Sequence, residues 1–362
     1  MQCNISKVHK VLASEPTTAV TGRSSTMRRW LKLQPRRRVL SLALQGGGSF
    51  GAFTWGVLDR LLESDGVAFD AISGTSAGAV NAVVLANGLA QGGPDEARRQ
   101  LEHLWKRLSR AAPLASLGAA SATSAALELS TRVISPYQFN PLGVNMLRDI
   151  LMAEVDFARL RKASPVRLLI AATRVTDGRL RLFREHEISL EAVLASACLP
   201  QLHHAVEIDG EWYWDGAFSA NPPLRQLVVD SKTRDIVLVQ ISPEQQEGLP
   251  RLSSQIARRA AQIAFNSPLQ KEIEALDDMR ALCKEVGLFR PAVCRKLDRL
   301  RLHRIVAEDS IDGLNHASAL RLDWSFLTDL KQSGYAAAAQ WLGGPTSRRR
   351  ARQNGKARAY GT

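Results

Sequence analysis

"ISGTSAGAV", residues Ile72 to Val80, sets Ser76 between Gly74 and Gly78, two positions to either side. The apolar run "VAFDAIS" leads into it, and a small, apolar helical segment from Ala77 to Leu89 follows. Strand, tight turn and helix are the surroundings of a G-x-S-x-G elbow, a strained turn that lifts a serine hydroxyl clear of the backbone. Close packing of a strand against a helix also selects small residues, so the motif by itself leaves both readings open.

Upstream, "RVLSLALQ" (Arg38–Gln45) reads as a buried strand. After it comes "GGGSFGAFTWGVLDRLLE", where Phe53, Val57, Leu58, Leu61 and Leu62 recur at helical spacing. Gly46-x-Gly48-x-x-Gly51 between a strand and a helix would suit a dinucleotide fold. That fold needs an acid at the end of the next strand. Asp65 and Asp70 fall before or within that strand, which ends on the serine turn instead. The two glycine motifs make better sense together. Each sits where a strand gives way to a helix, and in a parallel sheet both would lie at the carboxyl edge, where ligands bind. Backbone N–H groups there, including that of Ala77, can face a developing oxyanion.

A nucleophilic serine needs a base. Asp215 stands before Gly216 in "WYWDGAFSANPP", although Asp-Gly is also a common turn. His203 or His204 in "LPQLHHAVEI" could serve a triad, with Asp156, Asp177 or Glu187 as its acid, but none of these lies in a distinctive motif. Trp212, Tyr213, Trp214 and Phe218 would either line an acyl channel or pack in the core.

The rest of the chain bounds the problem. With 362 residues, 45% of them hydrophobic, it can bury a large core. Its net charge of +13 suits an anionic surface. Specific nucleic-acid binding is not expected, because no helix-turn-helix or RNA-binding motif accompanies that charge. Cys3, Cys198, Cys283 and Cys294 form no CxxC or Cys/His cluster, so neither a disulfide framework nor a zinc site is expected, and a reducing, cytoplasmic setting is. The longest apolar run, "GAVNAVVLANGLA", is too short to cross a membrane. Residues 1–38 read as a basic, disordered arm and 343–362 as a basic, disordered tail. Residues 111–135, rich in Ala, Ser and Leu, read as helix or lid. "VRLLIAATRV" and "GRLRLF" read as neighbouring strands, "AVEIDGEWYWDGA" as a hairpin about Asp209-Gly210, and "DIVLVQIS" as the last strong strand. Ser189 is placed to cap a helix. Alternating strands and helices predict an α/β layered sheet, with helices after about residue 250.

"QGGGSFGAF", "GTSAG" and "DGA", in this order, resemble the patatin-like phospholipase family over residues 39–245. That resemblance implies a three-layer α/β/α fold with a mainly parallel sheet; residues 246–342, read from their patterning as a helical extension, lie outside it. It also implies a Ser–Asp dyad without histidine: Ser76 the nucleophile, Asp215 the base, and Gly46, Gly47 and Gly48 lining an oxyanion hole. The substrate expected is a phospholipid or related lipid ester, with no metal or cofactor and with peripheral contact to an anionic membrane. A non-catalytic lipid-binding protein on the same fold is the alternative. One departure stands out: the family's glycine motif carries Lys or Arg where this chain has Phe50.

Overall fold

The computed structural model of the chain describes residues 37–117, 135–242, 244, 248–285, 291–307 and 316–344. The two basic termini, and residues 118–134 of the expected helix or lid, lie outside the described residues.

Eight strands form one sheet: β1 (Arg38–Leu44), β2 (Val67–Thr75), β3 (Arg167–Arg174), β4 (Leu180–Arg184), β5 (Val206–Ile208), β6 (Glu211–Asp215), β7 (Asp235–Gln240) and β8 (Arg301–Val306). The helices are α1 (Gly51–Leu62), α2 (Ala77–Gly92), α3 (Pro94–Leu117), α4 (Pro136–Phe139), α5 (Met146–Glu154), α6 (Phe157–Ala163), α7 (Leu190–Ser196), α8 (Leu224–Asp230), α9 (Ser253–Glu285), α10 (Ala292–Arg299) and α11 (Trp324–Gly343).

The sheet runs β5-β6-β3-β2-β1-β7-β8, with β4 also paired to β3. The five strands from β3 to β8 are parallel, and β4, β5 and β6 are antiparallel additions. Alternate residues of each buried strand face opposite sides, which makes the layers. Leu40, Leu42, Leu44, Ile72, Ile170, Val237 and Val239 join the core beneath α1, α2, α3 and α11. Ala43, Ala71, Leu169, Ile236 and Leu238 face α8, α9 and α10. The result is the expected three-layer α/β/α arrangement.

Local signals hold. Ser189 caps α7, its hydroxyl accepting the Ala192 N–H at 3.1 Å. Asp209 and Gly210 both have positive φ, 52° and 81°, as a two-residue hairpin turn requires. Two features differ from expectation. β8 interrupts the helical region after residue 250 and extends the parallel sheet beyond β7. Its sequence, "RLHRIV", hides the strand because its polar side chains find partners across β7. Arg301 and His303 both bind Asp235, at 2.7 and 3.0 Å, and Arg304 binds Gln240 at 2.6 Å. Cys283 and Cys294 form a disulfide joining the end of α9 to α10, a pairing set by how the two helices pack and not by any spacing motif. Cys198 remains a free, buried thiol, and burial pushes it up to about 12.

Candidate active site

Ser76 follows directly on β2 and precedes α2, and its backbone adopts φ 54°, ψ −124°. A side chain at positive φ costs on the order of 1–3 kcal/mol and persists only where neighbours enforce it. They do so here. A Cβ on Gly78 would lie 2.2 Å from the Leu44 carbonyl oxygen, and one on Gly74 2.6 Å from the Gly78 oxygen. The elbow is thus pressed against the end of β1 at a distance that only glycine permits. The Ser76 N–H donates to Ser196 Oγ at 3.0 Å, and Thr75 Oγ1 donates to the Ala220 carbonyl at 2.8 Å.

Sheet register brings the acid alongside. Thr75 pairs with Ala171 of β3, and Asp215 at the end of β6 pairs with Ala172. Ser76 and Asp215 therefore stand level with each other on the two strands that flank β3. Gly216 lets β6 come this close, since a Cβ there would sit 2.3 Å from the Ala171 oxygen. Asp215 is 1% exposed. Burial raises its carboxyl to about 6, opposed by the Ala217 N–H, which donates to Oδ1 at 2.8 Å, and by a hydrogen bond from the Ser76 side chain.

The glycine loop between β1 and α1 lies beside the serine. A Cβ on Gly46 would meet Ser76 Cβ at 2.7 Å, and one on Gly51 would meet Ala77 Cβ at 2.7 Å. The Gly46 N–H is already engaged, donating to Asn221 Oδ1 at 2.7 Å. The N–H groups of Gly47, Gly48 and Ala77 have no acceptor among the described residues. Gly48 has φ 60°, and Ser49 Oγ donates to the Ser318 carbonyl at 2.9 Å, so the segment before α11 braces this loop. Gln45 ties it to β7 and α9: its Oε1 accepts the Ile241 N–H at 2.8 Å and its Nε2 donates to Asn266 at 3.3 Å.

Other candidates fall elsewhere. Among the described residues neither His203 nor His204 bonds Ser76. His204 stacks on Tyr137 with ring centroids 4.1 Å apart, and burial holds His203 below the usual imidazole range. Asp156 caps α6, Asp177 pairs with Arg174, and Glu187 pairs with Arg181. Asp70 accepts from Arg167 and from the 231–233 turn, so it is fully committed to structure. The four aromatic residues divide. Tyr213 packs edge-on against Phe183 in the core, Trp214 is half-buried, and Trp212 and Phe218 are exposed. Phe50 is half-buried and meets Phe326 of α11 edge-on at 6.4 Å, so an aromatic contact occupies the position of the expected cation. No group of three or more His, Cys, Asp or Glu side chains that could hold a metal occurs among the described residues. Asn221 and Ser196, which fix the two turns, carry no signal in the sequence beyond the Asn-Pro-Pro run.

Among solved structures the chain is similar to VipD from Legionella pneumophila, with 17% identity and a TM-score of 0.36 over 83% of this chain and 67% of that one. It is also similar to ExoU in its complex with SpcU from Pseudomonas aeruginosa, with 15% identity and a TM-score of 0.28 over 84% of this chain and 75% of that one. No curated protein sequence matches it. Residues 42–228, just over half of the chain, match the patatin-like phospholipase model. That stretch holds both glycine motifs' elbows, Ser76 and Asp215. The chain belongs to the patatin-like phospholipase family, a family of lipid hydrolases.

Proposed function

We propose that the protein is a serine lipid acyl hydrolase that cleaves carboxylic esters of phospholipids or related lipids through a Ser76–Asp215 dyad. The observation that carries this reading is the sheet register that sets a strained elbow serine level with a buried carboxyl raised to about 6. At neutral pH that carboxyl is ionised, yet it is far more basic than an exposed aspartate.

In the proposed reaction Ser76 Oγ attacks the ester carbonyl as its proton passes to Asp215. The N–H groups of Gly47, Gly48 and Ala77 receive the oxyanion, with the amino end of α2 adding its dipole. Gly46 acts through Asn221, holding the loop in place. The tetrahedral intermediate collapses, the C–O bond to the alcohol breaks, and Asp215 returns its proton to that oxygen. Water then adds to the acyl-enzyme with Asp215 again as base, and the fatty acid leaves. Residues 39–245 carry this machinery and residues 246–342 brace it.

The substrate would be met at a membrane surface. Phe218 is exposed two residues beyond Gly216, Leu252 is exposed just before α9, and Ile256 and Ile263 project from its amino-terminal half. Phe265 of the same helix reaches toward Gly47. Arg251, exposed just before α9, suits an anionic headgroup. No helix among the described residues is long and apolar enough to cross a membrane.

The test is hydrolysis of a short-chain ester and a phospholipid panel by wild type, Ser76→Ala and Asp215→Asn, each confirmed folded. Activity in wild type alone supports the dyad. Equal activity in all three would place the chemistry elsewhere.

A further inference from the structure

At the opposite end of the sheet from Ser76 lies a cavity of about 640 Å³ whose lining includes seven cationic side chains and one carboxylate. The carboxylate, Asp235, is spent: Arg38, Arg301 and His303 surround it and hold it well below the usual range. Arg37, Lys232, Arg234 and Arg299 line the same cavity, are exposed, and have no carboxylate partner among the described residues. Lys296 reaches the Val229 carbonyl at 2.7 Å, and burial with the charge of Arg167 holds its ammonium below the usual lysine range. The lining therefore carries a net positive charge, since Asp235 is the one carboxylate among its seven cations.

The cations come from three supports, each fixed. Arg38 opens β1 and Arg37 directly precedes it. The turn carrying Lys232 and Arg234 is clasped from below by Asp70, which accepts from the N–H groups of Lys232 and Thr233. Lys296 and Arg299 lie on α10, which the Cys283–Cys294 disulfide fastens to α9. Backbone supports held in this way keep the cations on one side of the sheet without rearrangement of the fold when an anion is taken up.

We propose that this cavity binds a compact polyphosphate anion, a ligand with two or more phosphate groups close together. A single phosphate would satisfy one or two of these cations and leave the others repelling. Arginine forks dominate the lining and match phosphate oxygens in pairs. Among the described residues no aromatic side chain lines the cavity to stack a nucleobase. β1 spans seven residues between this cavity and the glycine loop, roughly 20 Å, so the anion is a second ligand and not the ester being cleaved. The inference stands independently of the proposed hydrolase activity.

Calorimetric titration of the full chain with inorganic tripolyphosphate tests it. Three proteins are compared: wild type, a Lys232→Ala/Arg234→Ala/Arg299→Ala variant, and an Arg348→Ala/Arg349→Ala/Arg350→Ala variant that removes the same number of charges from the C-terminal segment. The expected result is one saturable site that weakens by about a hundredfold in the cavity variant, as loss of several charge-assisted bonds would, and is unchanged in the other. Equal weakening in both variants, or no saturable site in wild type, overturns the proposal. Co-sedimentation with phosphatidylcholine vesicles doped with diacylglycerol pyrophosphate, whose headgroup carries two linked phosphates, then separates the sources. Cavity-dependent sedimentation identifies a lipid headgroup, and tripolyphosphate binding without it identifies a soluble anion; either supports the site.

Discussion

Asp215 is where a single residue decides most. Burial raises its folded carboxyl to about 6, above the 3.8 of an unperturbed aspartate. The folded state therefore holds this proton more tightly, and stability falls as pH rises from about 4 to about 6. Two units correspond to roughly 3 kcal/mol of destabilisation at neutral pH. With soluble ester, kcat/KM is expected to rise with pH and level off above an apparent pKa of about 6, and a flat profile down to pH 4 would speak against Asp215 as base. Asp215→Asn should lose activity yet unfold at a higher temperature than wild type at pH 8, with the gain shrinking toward pH 4. Asn221 makes a different case. Its Oδ1 holds the Gly46 N–H, and Asn221→Ala should lower kcat by about tenfold or more with KM little changed, since sub-ångström placement of donors governs rate. Ser76 and Asp215 were legible because elbow and Asp-Gly motifs are short and local. Asn221 and Ser196 were not, because their partners lie 175 and 120 residues away and only the folded sheet brings them together.

Elements meet most closely where α1 crosses α11. A Cβ on Gly334 would lie 2.0 Å from the Phe53 oxygen, and one on Gly56 1.9 Å from the Lys331 oxygen, so the two backbones touch. Asp59 on α1 adds ion pairs to Arg98 of α3 and Lys331 of α11. Gly334→Val must push the helices apart and should cost about 3 kcal/mol, read from the denaturant midpoint. Because α1 begins at the glycine loop, activity should fall with it. The exposed stripe of α9 predicts a different split. Ile256→Glu/Ile263→Glu should depress hydrolysis of vesicle phospholipid while sparing a soluble ester; equal loss on both substrates would mean the stripe serves folding. Periodicity made most of these elements readable, from β1 through β7. β8 escaped because an edge strand with arginine and histidine on its polar positions shows no apolar alternation, and the crossing of α1 and α11 escaped because nothing in either helix names its partner.

Across the whole molecule, the family motifs sit in the first two thirds of the chain, yet the core they stand on closes only with the last helix. α11 shares the apolar layer with α1, α2 and α3, and Trp341 near its end lies under Arg38 at the start of β1, 4.5 Å away. A chain stopped before Trp324 should therefore collect in the insoluble fraction although Ser76, Asp215 and both glycine turns are all present; soluble, active material from it would show that α11 is dispensable. Composition foretold a large core, but not the place of the cationic cavity at the opposite end of the sheet from Ser76, which depends on strand direction. The long return from α11 to α1 also sets a timetable for synthesis. Gly56 leaves the ribosome 278 residues before Gly334, which at about 5–20 residues per second is roughly a quarter of a minute to a minute. For that interval the apolar flank of α1 has no cover from its own chain, so the nascent protein needs a chaperone's shelter longest at the helix that carries its glycine loop.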